Sequence, residues 1–294
     1  KKMSNLQKAF DAGDFAITAE MAPPKGCDFS HILHVAELLK GRVTAVNVTD
    51  FQSSSLKASS IGLCIKLKEA GFEPILQMTG RDRSRMAIQG DMLAAAAFGI
   101  DNFLALTGDH TTVGDCKESK PVFDLDSVGI LMAAKQLEAG KDCGGNALEG
   151  AAPVFYLGAS CTPEYQPLPL HMIKMKKKVE AGAKFFQTQG VYDIESFKRF
   201  MDEARKLDCK VMAGIIPLKS AGMAKYMNKN VPGINVPEEL IARLKGSADA
   251  VKEGILISAE LISKIKEQGL CDGVHVMAIG AEENVPPILD EAGL

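Results

Sequence analysis

A chain of 294 residues with 46% hydrophobic and 24% charged residues has globular composition, which excludes whole-chain disorder, a collagen-like repeat and a disulfide scaffold. Thirty-four Lys and Arg against 37 Asp and Glu leave a net charge of −3, so no global basic field recruits nucleic acid. Trp is absent and aromatic residues make up only 6%, which argues against a stacking platform for single strands.

Lys1 and Lys2 precede Met3 and carry no argument, and no charged-then-apolar leader opens the chain, so a cytoplasmic protein is expected. The longest strongly apolar runs reach about eight to ten residues, roughly half a bilayer span, so no membrane span is expected. Short β-branched-rich runs alternate with longer stretches of helical spacing. The first strand is expected at 15–23 (FAITAEMAP), followed by a helix in HILHVAELLKG. There Ile32, Leu33, Val35, Ala36 and Leu39 share one side and Gly41 closes the end. Strands at 44–50 (TAVNVTD), 73–79 (EPILQMT) and 102–109 (NFLALTGD) follow, separated by the helical LKASSIGLCIKLKEAG and SRMAIQGDMLAAAAFG. After the helical DLDSVGILMAAKQLEAG come strands at 153–160 (PVFYLGAS), 185–191 (FFQTQGV), 210–217 (KVMAGIIP) and 273–280 (GVHVMAIG). Their intervening helices are LPLHMIKMKKKVEAG, IESFKRFMDEARKL and VKEGILISAELISKIKEQG.

A new strand roughly every 37 residues for eight rounds predicts an α/β chain folded as one (β/α)8 TIM barrel, a single domain over 1–294. A doubly wound open sheet uses the same units. Against it, no G-x-G-x-x-G follows the first strand and no G-x-x-x-x-G-K-[ST] occurs. Three stretches break the rhythm. The polar connection 110–123 follows strand 4 and so belongs to the catalytic face, whereas the Gly-rich 140–152 precedes strand 5 and belongs to packing or assembly. At 218–246 two short helices are expected, in LKSAGMAKYMNKN and VPEELIARLKG.

In a barrel, polar residues at strand C-terminal ends are the candidates for chemistry. Glu20, inside the apolar run FAITAEMAPP, is either a site carboxylate that donates a proton or one half of a structural ion pair. Asp109 follows Gly108, which admits close approach of a ligand, though a turn cap is the equal alternative. Gln77 and Gln189 are neutral amides that both donate and accept, suited to a heteroaromatic edge or to barrel backbone groups, and Thr49 carries the same ambiguity. Lys178, the last Lys of KMKKK, reaches a phosphate or is solvated. Arg81, Arg83 and Arg85 with Asp82 meet an anion or open the helix after strand 3, and the second reading is preferred. The seven cysteines contain no C-x-x-C pair, and His31 and His34 have no third ligand near them, so no metal is expected in this chain. His110 is read as a solvated loop residue.

The ordered set ITAEMAPPKG, NVTD, ILQMTGRDR, LALTGD, LGASCTPEYQP, MKKKVEAGAKFFQTQGVYD and AGIIP resembles the methylenetetrahydrofolate reductase family over about residues 14–280. The resemblance implies a flavin-containing barrel, of the short microbial form, that interconverts methylene- and methyltetrahydrofolate. It places the proton-donating glutamate at Glu20, and at Asp109 the aspartate that faces flavin and pterin. The folate-contacting glutamine falls on Gln189, a flavin-contacting threonine on Thr49, and a flavin-side lysine on Lys178. In this scheme the proton from Glu20 opens the folate ring. Asp109 lowers the flavin potential and stabilises the cationic folate.

Departures from better-known members fall at flavin-side positions. Thr107 stands before Gly108 where many members have Arg, Gln77 replaces a His, Thr162 a Tyr and His171 a helical Asp. With Ser160 these complete the expected cofactor set, and the cofactor is FAD or FMN. Ala221 and Met223 align with an aromatic and a glutamine that stack on folate and nicotinamide. The donor is therefore NAD(P)H or an iron–sulfur partner subunit. The folate substrate and an oligomeric state are further expectations. A pterin-binding methyltransferase barrel without flavin and a non-catalytic docking subunit are the competing readings.

Overall fold

The structure, a computed structural model, describes residues 3–294; Lys1 and Lys2 lie outside the described residues. In chain order the elements are α1 (Asn5–Ala12), β1 (Ala16–Met21), α2 (Ser30–Glu37), β2 (Ala45–Val48), α3 (Ser60–Glu69), β3 (Pro74–Thr79), α4 (Arg85–Ala97), β4 (Asn102–Leu106), α5 (Ser127–Glu138) and β5 (Tyr156–Cys161). They continue with α6 (Leu168–Glu180), β6 (Phe185–Gly190), α7 (Ile194–Ala204), β7 (Lys210–Ile215), α8 (Ala221–Asn230), α9 (Glu238–Gly246), α10 (Ala250–Glu267), β8 (Gly273–Val276) and α11 (Val285–Glu291). The eight strands close into a parallel barrel in sequence order, with β1 paired to both β2 and β8. This is the predicted (β/α)8 barrel.

Period-2 alternation sorts each strand between barrel interior and helix layer. The interior fills in tiers. At the N-terminal end Ala16, Ala45, Ile75, Leu104, Phe185 and Met212 cluster with Leu6 and Phe10, so α1 plugs the barrel from below. Gly158 makes room for this tier: a Cβ there would lie 2.3 Å from the Phe185 ring. Above it, the buried amides Asn47 and Gln187 and the hydroxyl of Thr18 form a polar tier. The C-terminal end is open. The outer faces of the strands pack on the helices in one continuous apolar layer.

Several boundaries differ from expectation. β4 ends at Leu106, not Asp109, because Gly108 adopts φ +91° and turns the chain out of the strand. α1 and α11 were not foreseen; α1 is capped by Ser4 Oγ, which accepts from Gln7 N at 3.1 Å. The 110–123 connection lies over the catalytic end, where Val122 N donates to Arg81 O and Asp115 pairs with Lys25. The 140–152 connection packs on the outer layer, with Cys143 N donating to Gln89 Oε1 of α4 at 2.7 Å. No helix among the described residues is long and apolar enough to cross a membrane.

Candidate active site

A cavity of about 380 Å³ opens at the C-terminal mouth of the barrel. Of the sequence-predicted residues, Glu20, Gln77, Thr107, Gly108, Asp109, Ser160, Thr162, Lys178 and Gln189 line it together. Thr49, His171 and Met223 do not. Met223 instead sits in the first turn of α8, half-buried against the core, with its N–H capped by Ser220 Oγ.

Glu20 follows Ala16 and Thr18 on the inward face of β1 and is 8% exposed. Its carboxylate is met by neutral amide donors, Gln77 Nε2 on Oε2 at 3.0 Å and Gln52 Nε2 on Oε1 at 3.2 Å. His275 Nε2 stands 3.6 Å from Oε2. Gln77, expected at the cofactor, is thus engaged by Glu20. Such a carboxylate, nearly dry yet reachable from the cavity, is suited to carrying one proton to or from a ligand.

Asp109 and Thr107 stand exposed on the far side of the mouth. Arg81, almost wholly buried, ties this rim together. Its Nη1 donates to Asp109 O at 3.1 Å, its Nη2 to Phe51 O at 3.0 Å, and its fork to Asp82. Arg83 bridges Asp50 and Asp91, and Arg85 pairs with Asp124, so each of the three arginines holds a carboxylate of the chain itself. Arg85 also opens α4, as the preferred reading had it. Thr107 Oγ1 accepts from Ser127 N at 3.2 Å and so fixes the N-terminus of α5 at the cavity edge. Gln189 Oε1 accepts from Gly190 N at 3.1 Å. His110 caps a short turn through Thr112, in keeping with a solvated loop residue.

On the β5 and α6 side, Lys178 Nζ donates to Ser160 O at 2.7 Å, and burial pushes its amine below the ordinary lysine range. Thr162 N donates to His171 Nε2 at 2.9 Å, so His171 acts on the cavity through the Thr162 backbone. Burial, then Lys178 and Lys174, push His171 down to about 4. The imidazole is therefore neutral in the fold, while the unfolded chain protonates below about pH 6.5. His171 thus lowers stability progressively as pH falls from about 6.5 to about 4. His171→Gln, which keeps an acceptor for Thr162 N, is expected to lose less melting temperature than wild type between pH 7 and pH 5. Equal losses in paired thermal melts would refute the assignment.

Sequence reasoning missed Asp50, Gln187 and His275 and gave Arg81 no role at the mouth. Asp50 was in view as the last residue of NVTD, and His275 as an alternate residue of GVHVMAIG; their partners lie far away in sequence. Among the described residues no group of three or more His, Cys, Asp or Glu is placed to hold a metal ion.

The family model described as methylenetetrahydrofolate reductase matches residues 5–293. The chain belongs to this family. A methylenetetrahydrofolate reductase 2 from Schizosaccharomyces pombe is 30% identical over 232 residues, covering 74% of this chain and 35% of the relative. A 5,10-methylenetetrahydrofolate reductase from Pectobacterium carotovorum subsp. carotovorum is 24% identical over 273 residues, covering 88% of this chain and 84% of that protein. The chain spans about a third to a half of the length of the eukaryotic relatives it matches. Among solved structures, an EDTA monooxygenase from Chelativorans sp. BNC1 superposes with a TM-score of 0.56 at 10% identity, covering 95% of this chain and 94% of that one. At that identity the likeness concerns the barrel alone.

Proposed function

We propose that this chain is a flavin-dependent reductase that interconverts 5,10-methylenetetrahydrofolate and 5-methyltetrahydrofolate. The observation that carries the reading is Glu20, a nearly buried carboxylate in reach of the same cavity as Asp109, Gln189 and Lys178. A reductase of this type needs one proton donor, one anion to steady a cationic folate, and one neutral amide for the pterin edge. Family membership supplies the reaction, and Glu20, Asp109 and Gln189 supply its chemistry.

A flavin, FAD or FMN, suits the donor set. Thr49 Oγ1 does not line the cavity, but it is buried without a hydrogen-bond partner, a hydroxyl left over for a ligand that reaches the end of β2. Lys178 has three ammonium protons and spends one on Ser160 O. Thr49, Thr107, Gly108, Ser160, Thr162 and Lys178 would hold the cofactor, with His171 orienting the Thr162 N–H. When bound and reduced, the flavin supplies the hydride for the one-carbon unit. Glu20 passes the proton that opens the five-membered ring, and its donors Gln52 and Gln77 stabilise the carboxylate left behind. Asp109 lowers the cost of positive charge on the opened folate. Gln189 binds the pterin edge without adding charge.

Electrons enter from NAD(P)H or from a reduced iron–sulfur partner, and anaerobic reduction with each donor separates the two. The test of the whole reading is an anaerobic visible spectrum of the purified protein before and after adding methyltetrahydrofolate. A flavin spectrum that bleaches is expected. A colourless, folded and unresponsive protein, still so after flavin is added back, would overturn the reading in favour of a methyltransferase or a docking subunit. Lys178→Met is expected to weaken flavin binding about 10- to 100-fold, the worth of a charge-assisted hydrogen bond. Ultrafiltration of free flavin measures it, and an unchanged affinity would remove Lys178 from the cofactor set.

A further inference from the structure

We propose that His275 is a positioning residue for Glu20, locked in one neutral tautomer by hydrogen bonds that start at the barrel axis; this rests on Glu20 being the proton carrier. The chain begins at the reciprocal amide pair. Asn47 Nδ2 donates to Gln187 Oε1 at 2.6 Å, and Gln187 Nε2 donates to Asn47 Oδ1 at 2.9 Å. Flipping either amide alone would set nitrogen against nitrogen and oxygen against oxygen. The sulfur of Met212, 3.9 Å from Gln187 Nε2, is an acceptor and favours the NH₂ at that end. The second proton of that NH₂ is shared between this sulfur and Thr18 Oγ1, the nearer of the two at 3.2 Å.

Thr18 therefore accepts from below, and its own proton goes to its other partner, His275 Nδ1 at 2.9 Å. A ring nitrogen that accepts carries no proton, so the imidazole proton sits on Nε2. That nitrogen stands 3.6 Å from Glu20 Oε2, beyond a hydrogen bond and close enough to become one when a ligand settles the carboxylate. Register enforces the arrangement: Thr18 on β1 pairs directly with His275 on β8, and Glu20 lies two residues further along the same inward face.

Thr18, Asn47, Gln187 and His275 are all buried, at 3% exposure or less; the first three are satisfied within the network, while His275 is satisfied at Nδ1 and keeps Nε2 for Glu20. His275 then offers Glu20 a third neutral donor beside Gln52 and Gln77. It steadies the carboxylate and fixes its rotamer without a cation that would trap the charge.

Two variants divide the ring's functions. His275→Gln places an N–H where Nε2 was, and His275→Asn places an oxygen where Nδ1 was. Positioning through Nε2 predicts that the anaerobic rate of flavin reduction by methyltetrahydrofolate falls about 100-fold in His275→Asn and recovers most of that loss in His275→Gln. Flavin content and the binding constant for methyltetrahydrofolate should stay near wild type in both. A folded His275→Asn enzyme at the wild-type rate, or two variants equally impaired, would overturn the proposal.

A second readout needs neither activity nor a variant that folds well. With ¹⁵N-labelled histidine the holoenzyme shows only five imidazoles, and His275 should report a protonated Nε2 and a bare Nδ1. A protonated Nδ1 would mean that the amide pair runs the other way round, and the proposal falls. A protein that shows the expected tautomer but no folate chemistry would leave the relay standing and fault the reading of Glu20 instead.

Discussion

Glu20→Gln is expected to slow reduction of the bound flavin by methyltetrahydrofolate about 10²- to 10⁴-fold, the range for loss of a positioned general acid–base group. The substitution keeps the shape of the side chain and removes the site of the proton. Gln52 and Gln77, which both donate to the carboxylate, would then share one carbonyl oxygen and face one amide nitrogen. Because the cofactor set lies on β5, on α6 and just past the ends of β2, β4 and β5, away from β1, flavin content should be retained, and its visible spectrum checks this in the same cuvette. Stopped-flow absorbance under anaerobic conditions gives the rate. A rate within threefold of wild type would move the proton source away from Glu20. Unchanged turnover with unchanged assembly into a larger complex would favour the docking subunit.

The barrel was legible because each strand is short, rich in apolar residues and followed by a helical stretch. All eight predicted strands overlap observed ones, and the two helices expected in 218–246 are α8 and α9. The misses have local causes. β4 stops three residues early at a left-handed glycine, and α1 is short enough for Leu6 and Phe10 to give little periodicity. The mouth was legible wherever a polar residue interrupts an apolar strand end, as at Glu20, Gln77 and Gln189. What could not be read were partnerships made across the closed sheet. Thr18 and His275 are 257 residues apart, and Asp50 and Arg83 are 33 apart. Neither pair leaves a periodic trace: closure of the barrel brings the first together, and the pairing of β2 with β3 the second.

Asp50→Asn should therefore be costly despite preserving size and polarity. β2 ends at Val48; Thr49 and then Asp50 follow, and Asp50 sits at the wall of the mouth with its side chain fully buried. Its Oδ2 accepts from Thr79 N at 2.8 Å, Thr79 Oγ1 at 2.9 Å and Arg83 Nη1 at 2.6 Å. Its Oδ1 accepts from Arg83 Nη2 at 3.1 Å and Ser60 Oγ at 3.2 Å. Five donors converge on one carboxylate, so an asparagine must turn an NH₂ toward other donors whichever way it flips. Removing one member of a buried ion pair typically costs 3–5 kcal/mol; Asp91, the second partner of Arg83, holds the expectation near the lower end, about 3 kcal/mol. In a chain of this size that is a fall of roughly 5–10 °C in melting temperature. Glu203→Gln, which breaks the exposed pair between Glu203 on α7 and Lys206 just past it, serves as control and should leave the melt unchanged. The loss should also reach the site, because Asp50 anchors the turn carrying Phe51 and Gln52. Phe51 holds Arg81 through its carbonyl, and Gln52 is one of the donors on Glu20. A variant that melts within a degree of wild type would show that this network does not hold β2 to β3.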